Sequence, residues 1–172
     1  GRGEYGSNRV QKIVSGTLST YKDPDLQNDQ KYARALEILQ EVDPLRSTIN
    51  HETLGQAGAI YKRLWEHSGR ERLLETSLAF YQRGYERGVE RDFGYTGINA
   101  AFILDLKADL ELPDLQPAIA RGQIHRVRAA EIRQTIVGAM SSWTQNAENA
   151  WRDTTWWYLV TAGEAWFGLG RV

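Results

Sequence analysis

The feature that most constrains this chain is one spacing that occurs three times. Leu54, Ala57, Gly58 and Tyr61 stand at i, i+3, i+4 and i+7; Tyr95, Ile98, Asn99 and Phe102 repeat it, and Leu159, Ala162, Gly163 and Trp166 carry it near the end of the chain. Residues three and four apart share one face of a helix, so each copy is a stripe of a large residue, a small or medium pair and then a ring. On this reading Gly58 and Gly163 let a second helix approach, while Tyr61, Phe102 and Trp166 fill the gap beside it. Between the first two copies lies a helix of another kind, Leu73 to Gly88, with Leu74, Leu78, Tyr81 and Tyr85 on one face. The chain therefore reads as repeated helical hairpins.

Start and stop signals divide the rest. Val10, Ile13, Val14 and Leu18 predict a first helix from Asn8 to Lys22, ended by the turn Asp23-Pro24-Asp25. That turn lacks the glycine and the closing acid of a calcium loop. Asp29 is placed to cap a second helix with the stripe Tyr32, Ala35, Leu36, Leu39 and Val42. It stops at Asp43-Pro44 because the residue before proline avoids the helical region. Thr48 or Asn50 caps the next helix, which Gly69 ends. Pro113 and Pro117 break the regular period, so residues 111–122 read as an irregular excursion. A long helix from Gln123 to Trp143 follows, with Ala129, Ile132, Ile136, Met140 and Trp143 facing the core. Residues 146–153 connect it to the third copy. Residues 1–8 read as a frayed or cloning-derived start, and residues 9–172 as a single repeat domain. The start at Gly1 and an unpaired last helix suggest a piece of a longer protein.

Composition narrows the chemistry. A chain with 41% hydrophobic residues, six Trp, eight Tyr and only four Pro is a folded protein. Lys plus Arg number 21 against 22 Asp plus Glu, so the whole molecule offers no field to gather nucleic acid or acidic lipid. There is no cysteine, which removes disulfides, thiolate metal sites and a cysteine nucleophile and fits a cytoplasmic protein. The apolar runs are too short to span a bilayer, and no signal peptide is visible. Gly1, Gly3 and Gly6 spell G-x-G-x-x-G, but no strand precedes them, so the dinucleotide reading fails.

Candidate sites are few. His51, His67 and His125 are isolated, so no metal set forms. Asp105 and Asp109 stand one turn apart without a third ligand. No phosphate loop or nucleophile elbow occurs, so no enzyme is expected, and neither is a cofactor. Arg121, His125, Arg126, Arg128 and Arg133 form the most basic patch, interrupted by Glu131; a solvated face is favoured over nucleic acid. Asn99 stands where the other copies have glycine, and its amide is expected to tie its helix to neighbouring backbone. Trp151, Trp156, Trp157 and Trp166 are assigned mostly to the core, with one or two rings exposed, against the alternative of an aromatic binding surface.

The element L-x-x-A-G-x-x-Y, followed by Ser77, Tyr81 and Gly84 in S-x-x-x-Y-x-x-G, resembles the tetratricopeptide repeat. Three blocks carry a narrower likeness: ETLGQAGAIYKRLW at 52–65, LAFYQRGYERG with DFGYTGINAAFILDL at 78–106, and TTWWYLVTAGEAWFGLG at 154–170. Together they resemble the helical TRAFs-binding domain of the apoptosis signal-regulating kinases and its bacterial relatives, over roughly residues 30–170. The resemblance implies an all-α right-handed array of antiparallel helical hairpins. It further implies a regulatory protein-binding scaffold, occurring in signalling and, in bacteria, defence-related multidomain proteins, and no catalytic residue. Similarity to tetratricopeptide domains places Glu52, Ala59, Lys62, Arg63, Thr96, Ala100, Trp157 and Glu164 toward a concave partner-binding groove. There Lys62 and Arg63 would meet a carboxylate of a bound protein or peptide, or of another domain of the same protein. The alternative expectation is a sensor whose groove takes a small molecule or nucleotide and controls a fused effector.

Overall fold

A computed structural model describes residues 28–111, 116–144 and 156–170. The expected first helix, the turn at 23–25, Pro113, the 146–153 connector and Trp151 lie outside the described residues. Every regular element among the described residues is helical, which gives the all-α hairpin class. They fall in two compact units, residues 1–84 and 85–172, taken here in turn.

In the first unit, α1 (Asn28–Val42) begins one residue ahead of the expected cap Asp29 and ends before Pro44. Its apolar stripe forms as the spacing requires. Tyr32, Ala35 and Leu39 are buried in one cluster with Leu45, Leu54, Ala57, Ile60 and Phe80, and Leu36 packs on its edge. The connector is folded by its own side chains. The Thr48 hydroxyl donates to the Asp43 carboxylate and accepts from the Asn50 backbone N–H, and the Asn50 side chain then caps α2 (His51–Ser68) by accepting from Thr53 N at 3.1 Å. Gly69, left-handed at φ 66°, ends α2 by donating to the Trp65 carbonyl. Between Tyr61 and Ser77 the chain is thus helical except for the short turn at 69–70.

The return helix α3 (Glu71–Tyr85) packs antiparallel on α2 at the point where the first stripe has its glycine. A Cβ on Gly58 would lie 2.9 Å from three atoms of the fully buried Tyr81 ring. Ser77 donates to the Gly58 carbonyl at 2.7 Å, and Tyr61 stacks on Phe80 with centroids 5.5 Å apart. Arg83 completes the unit. Its guanidinium donates to the carbonyls of Leu45 at 2.9 Å and Thr48 at 2.8 Å, which pins the connector to α3.

In the second unit, a short 3-10 turn, Val89–Arg91, leads into α4 (Tyr95–Leu110). Asp92 reaches over the entry: its carboxylate accepts from Gly94 N at 3.1 Å and Thr96 N at 2.9 Å. α4 packs against α5 (Gln116–Thr144) and both contact α6 (Trp156–Gly168). The long helix presents Ala129, Ile132, Ile136 and Met140 inward, as their spacing predicts. It starts earlier than expected, however. Residues 116–122 are helical because Pro117 sits in the first turn, where a missing N–H costs no helical hydrogen bond. Gly97 lets α4 lie close to its neighbours, since a Cβ would meet Tyr85 at 2.8 Å and Ile136 at 3.1 Å.

The second and third stripes do not pack like the first. Phe102 is 48% exposed and Tyr95 also faces outward, while Ile98, Ala101 and Leu104 turn inward. On α6 the buried residues are Tyr158, Thr161 and Ala165, so Leu159, Gly163 and Trp166 lie on the opposite face. Gly163 has nothing near its missing Cβ. Among the described residues it is therefore no close-approach point, and Phe102 and Trp166 keep 48% and 37% of their surface exposed.

Candidate functional site

The expected groove residues divide between the two units, and each half is described on its own. In the first unit they stand on α2. Its N-terminal half, from Thr53 to Gly58 and again at Ile60, is buried all round, and the helix surfaces only toward its C-terminus. Lys62 and Ala59 are half-buried at that transition, and Arg63 is exposed, with its guanidinium 2.7 Å from Glu66. An exposed pair of this kind holds little energy and can exchange its partner. Glu52 is exposed on the first turn, yet partial burial of its carboxyl raises its pKa above the usual carboxylate value.

In the second unit the expected residues do not share a surface. Thr96 and Ala100 are fully buried, because α4 turns Thr96, Ala100 and Ile103 inward together. Neither side chain can touch a partner, which corrects the expectation for both. Trp157 is partly exposed, and its ring packs on Phe93 with centroids 5.4 Å apart; Phe93 meets Trp143 edge-on at 5.7 Å. It braces α6 against α5 and the entry to α4. Glu164 is exposed on α6.

Electrostatics around α5 turn the basic patch into a set of pairs. Arg121 grips both oxygens of Glu111, the closest approach being 2.8 Å, Arg126 meets Asp109 at 2.8 Å, and Arg128 meets Glu131 at 3.0 Å. Arg133 is nine-tenths buried and meets Asp105 at 2.6 Å. Asp105 and Asp109 thus each take a different arginine and do not form a carboxylate pair. The bond from Arg121 holds the Glu111 carboxyl below its usual pKa. His125 is pushed below the usual imidazole value, first by burial and then by Lys107. Four arginines with four acids leave no run of converging free cations of the sort phosphate backbones require.

Asn99 bonds within its own helix, donating to the Tyr95 carbonyl at 2.9 Å, and not to a neighbouring element. The tryptophans are the larger correction. Trp156 is 78% exposed, Phe167 73%, Leu159 46% and Trp166 37%, so one face of α6 is an apolar surface and not core. The sequence did carry a signal for it: apart from Glu164, Thr161 and Tyr158, the helix is built of apolar and small residues on every side. Such a helix has a second apolar face beyond the one its own domain covers.

Among the described residues no three His, Asp or Glu side chains group as metal ligands, and no helix is long and apolar enough to cross a membrane. Neither the curated proteins nor the solved structures give a match to this chain. The family described as Tetratricopeptide Repeats-Sensor matches residues 10–104, more than half of the sequence, and carries the repeat part of the resemblance without the narrower likeness to TRAFs-binding domains. A spacing that first appears as L-x-x-A-G-x-x-Y, and a hairpin that closes on Gly58, Ser77 and Tyr81, are therefore those of a member of the tetratricopeptide repeat sensor family.

Proposed function

We propose that this domain works by recognition and not by chemistry, as a non-catalytic interaction and regulatory module, residues 9–172, of a larger cytoplasmic signalling protein. Membership of a repeat family of sensor type is the observation that carries this reading. Repeat hairpins present a fixed surface whose side chains can vary without disturbing the buried contacts that hold the hairpin. On α2 that division falls at residue 61. Before it nearly every side chain is buried, and after it Lys62, Arg63 and Glu66 reach the surface. Lys62 and Arg63 meet a carboxylate of the bound protein or peptide, Arg63 exchanging Glu66 for the incoming acid. A fork-shaped guanidinium suits this exchange because it offers two parallel donors.

The test is a pull-down with the whole chain beside a Lys62→Glu, Arg63→Glu double variant, with circular dichroism matched between them. Retention of one protein by the first and its loss from the second supports the reading. Equal retention removes Lys62 and Arg63 from the site. The sensor designation of the family also favours a second reading, in which a small molecule or nucleotide is bound and its presence passed to a fused effector. Mass spectrometry of metabolites released on denaturing the purified chain distinguishes the two.

A further inference from the structure

We infer that the outer face of α6 is the interface of a two-fold symmetric pair of these chains, formed by two antiparallel copies of this helix. Four side chains dominate that face: Trp156, Leu159, Trp166 and Phe167, exposed by 78%, 46%, 37% and 73%. From the size of aromatic side chains this is roughly 500 Å² of accessible apolar surface on one helix. It equals the largest patch normally left on a monomer, and it supplies more than half of the about 800 Å² per partner found in a standard interface. Charge argues for self-association over an ionic partner. The only charged residue on α6 is Glu164, about 100° round the helix from Gly163, where it remains in water at the rim.

The register fits a second copy of the same helix. Gly163 lies midway along the stripe, and nothing stands within 4 Å of its missing Cβ, so a second backbone can cross there closely. A two-fold axis through Gly163 sets each residue at 163+k opposite the one at 163−k. Leu159 then packs on Phe167 of the second copy. Trp156, the most exposed ring, extends past Gly168, where the second copy's helix ends. The contact between Leu159 and Phe167 thus occurs twice, once on each side of the glycine crossing, the self-complementarity that an isologous interface requires. A face complementary to itself at one register closes into a dimer and does not grow further.

The absence of cysteine gives a direct test on the full chain. Only residues on the axis meet their own copy, and disulfide geometry needs Cα atoms within about 7 Å. Gly163→Cys, lacking any neighbour to disturb, is expected to cross-link into a covalent dimer on mild oxidation, while Ser142→Cys on α5 is not. Sedimentation equilibrium of the unmodified chain is expected to show monomer and dimer exchanging with concentration. Leu159→Glu with Phe167→Glu weakens association about a hundredfold with an unchanged circular dichroism spectrum, since like charges would face each other across the apolar contact. A chain that sediments as a monomer throughout overturns the inference and assigns the face to another occupant, such as a further helix or an unrelated protein. Open-ended association, or a dimer indifferent to the double substitution, overturns it equally.

Discussion

Gly58 and Gly163 occupy the same place in two copies of one spacing, and the structure gives them opposite responses to the same change. In a helix interior, replacing glycine by alanine is worth about 1 kcal/mol in favour of the folded state, because alanine gives up less backbone freedom on folding. At Gly163 the added methyl meets nothing within 4 Å, so the full gain is expected. At Gly58 it arrives 2.9 Å from three atoms of the Tyr81 ring, which is fully buried and has nowhere to swing. Overpacking of that kind costs about 1–3 kcal/mol. It also loosens the 2.7 Å bond from Ser77 to the Gly58 carbonyl at the same crossing. Gly58→Ala should therefore lose about 1–2 kcal/mol and Gly163→Ala gain up to ~1 kcal/mol, a separation of about 2–3 kcal/mol. Urea unfolding followed by circular dichroism, repeated at two protein concentrations to separate out any association through α6, measures both. Were Gly58→Ala to stabilise the chain as much as Gly163→Ala, the claim that the first hairpin closes on a missing side chain would be wrong.

Three further outcomes follow from the same contacts. Arg83→Met should cost about 2 kcal/mol in urea unfolding, since its charge-assisted bonds to Leu45 and Thr48 hold the α1–α2 connector, and Arg83→Lys should recover only part. Asp105→Ala should destabilise by about 1–3 kcal/mol because it leaves the nine-tenths buried Arg133 unpaired, whereas Asp109→Ala, which breaks an exposed pair, should change stability by less than about 0.5 kcal/mol. The two shifted groups act oppositely on acidification. Glu52 has a raised folded pKa, so its penalty at neutral pH is relieved as pH falls through that value; the wild type should gain on Glu52→Gln between pH 7 and 4. His125 has a lowered folded pKa, so its contribution is lost as pH falls below about 6.5, and the wild type should lose on His125→Gln over that interval. Urea midpoints across pH read both signs.

Much of the local structure was legible in the residues. Proline at 44, the side-chain oxygen of Asn50 and glycine at 69 act on the backbone within a few residues of themselves, so they place the ends of α1 and α2 whatever surrounds them. Pro117 shows where such reading slips. Proline breaks a helix in its interior but begins one readily, and the two cases look alike until the helix start is known. The candidate site was less legible. Lys62 and Arg63 could be placed near the surface end of α2, but Thr96 and Ala100 were assigned to a groove that α4 turns away from.

What the sequence alone determined about this protein is its class, the end of α1, the cap and end of α2, and the hairpin built on Gly58. The stripe of α1 alternates clearly with polar residues, so only one of its faces could be buried. What the tertiary structure decided is which face of α4 and of α6 turns inward. Both helices are apolar nearly all round, and a pattern without a polar side names no direction. The choice falls to the neighbours that are there to pack against: Ile132 and Ile136 draw in Gly97, while Phe93 packs on both Trp143 and Trp157. Phe102, Leu159 and Trp166 are then left facing outward, although they repeat the spacing that in the first hairpin faces the core.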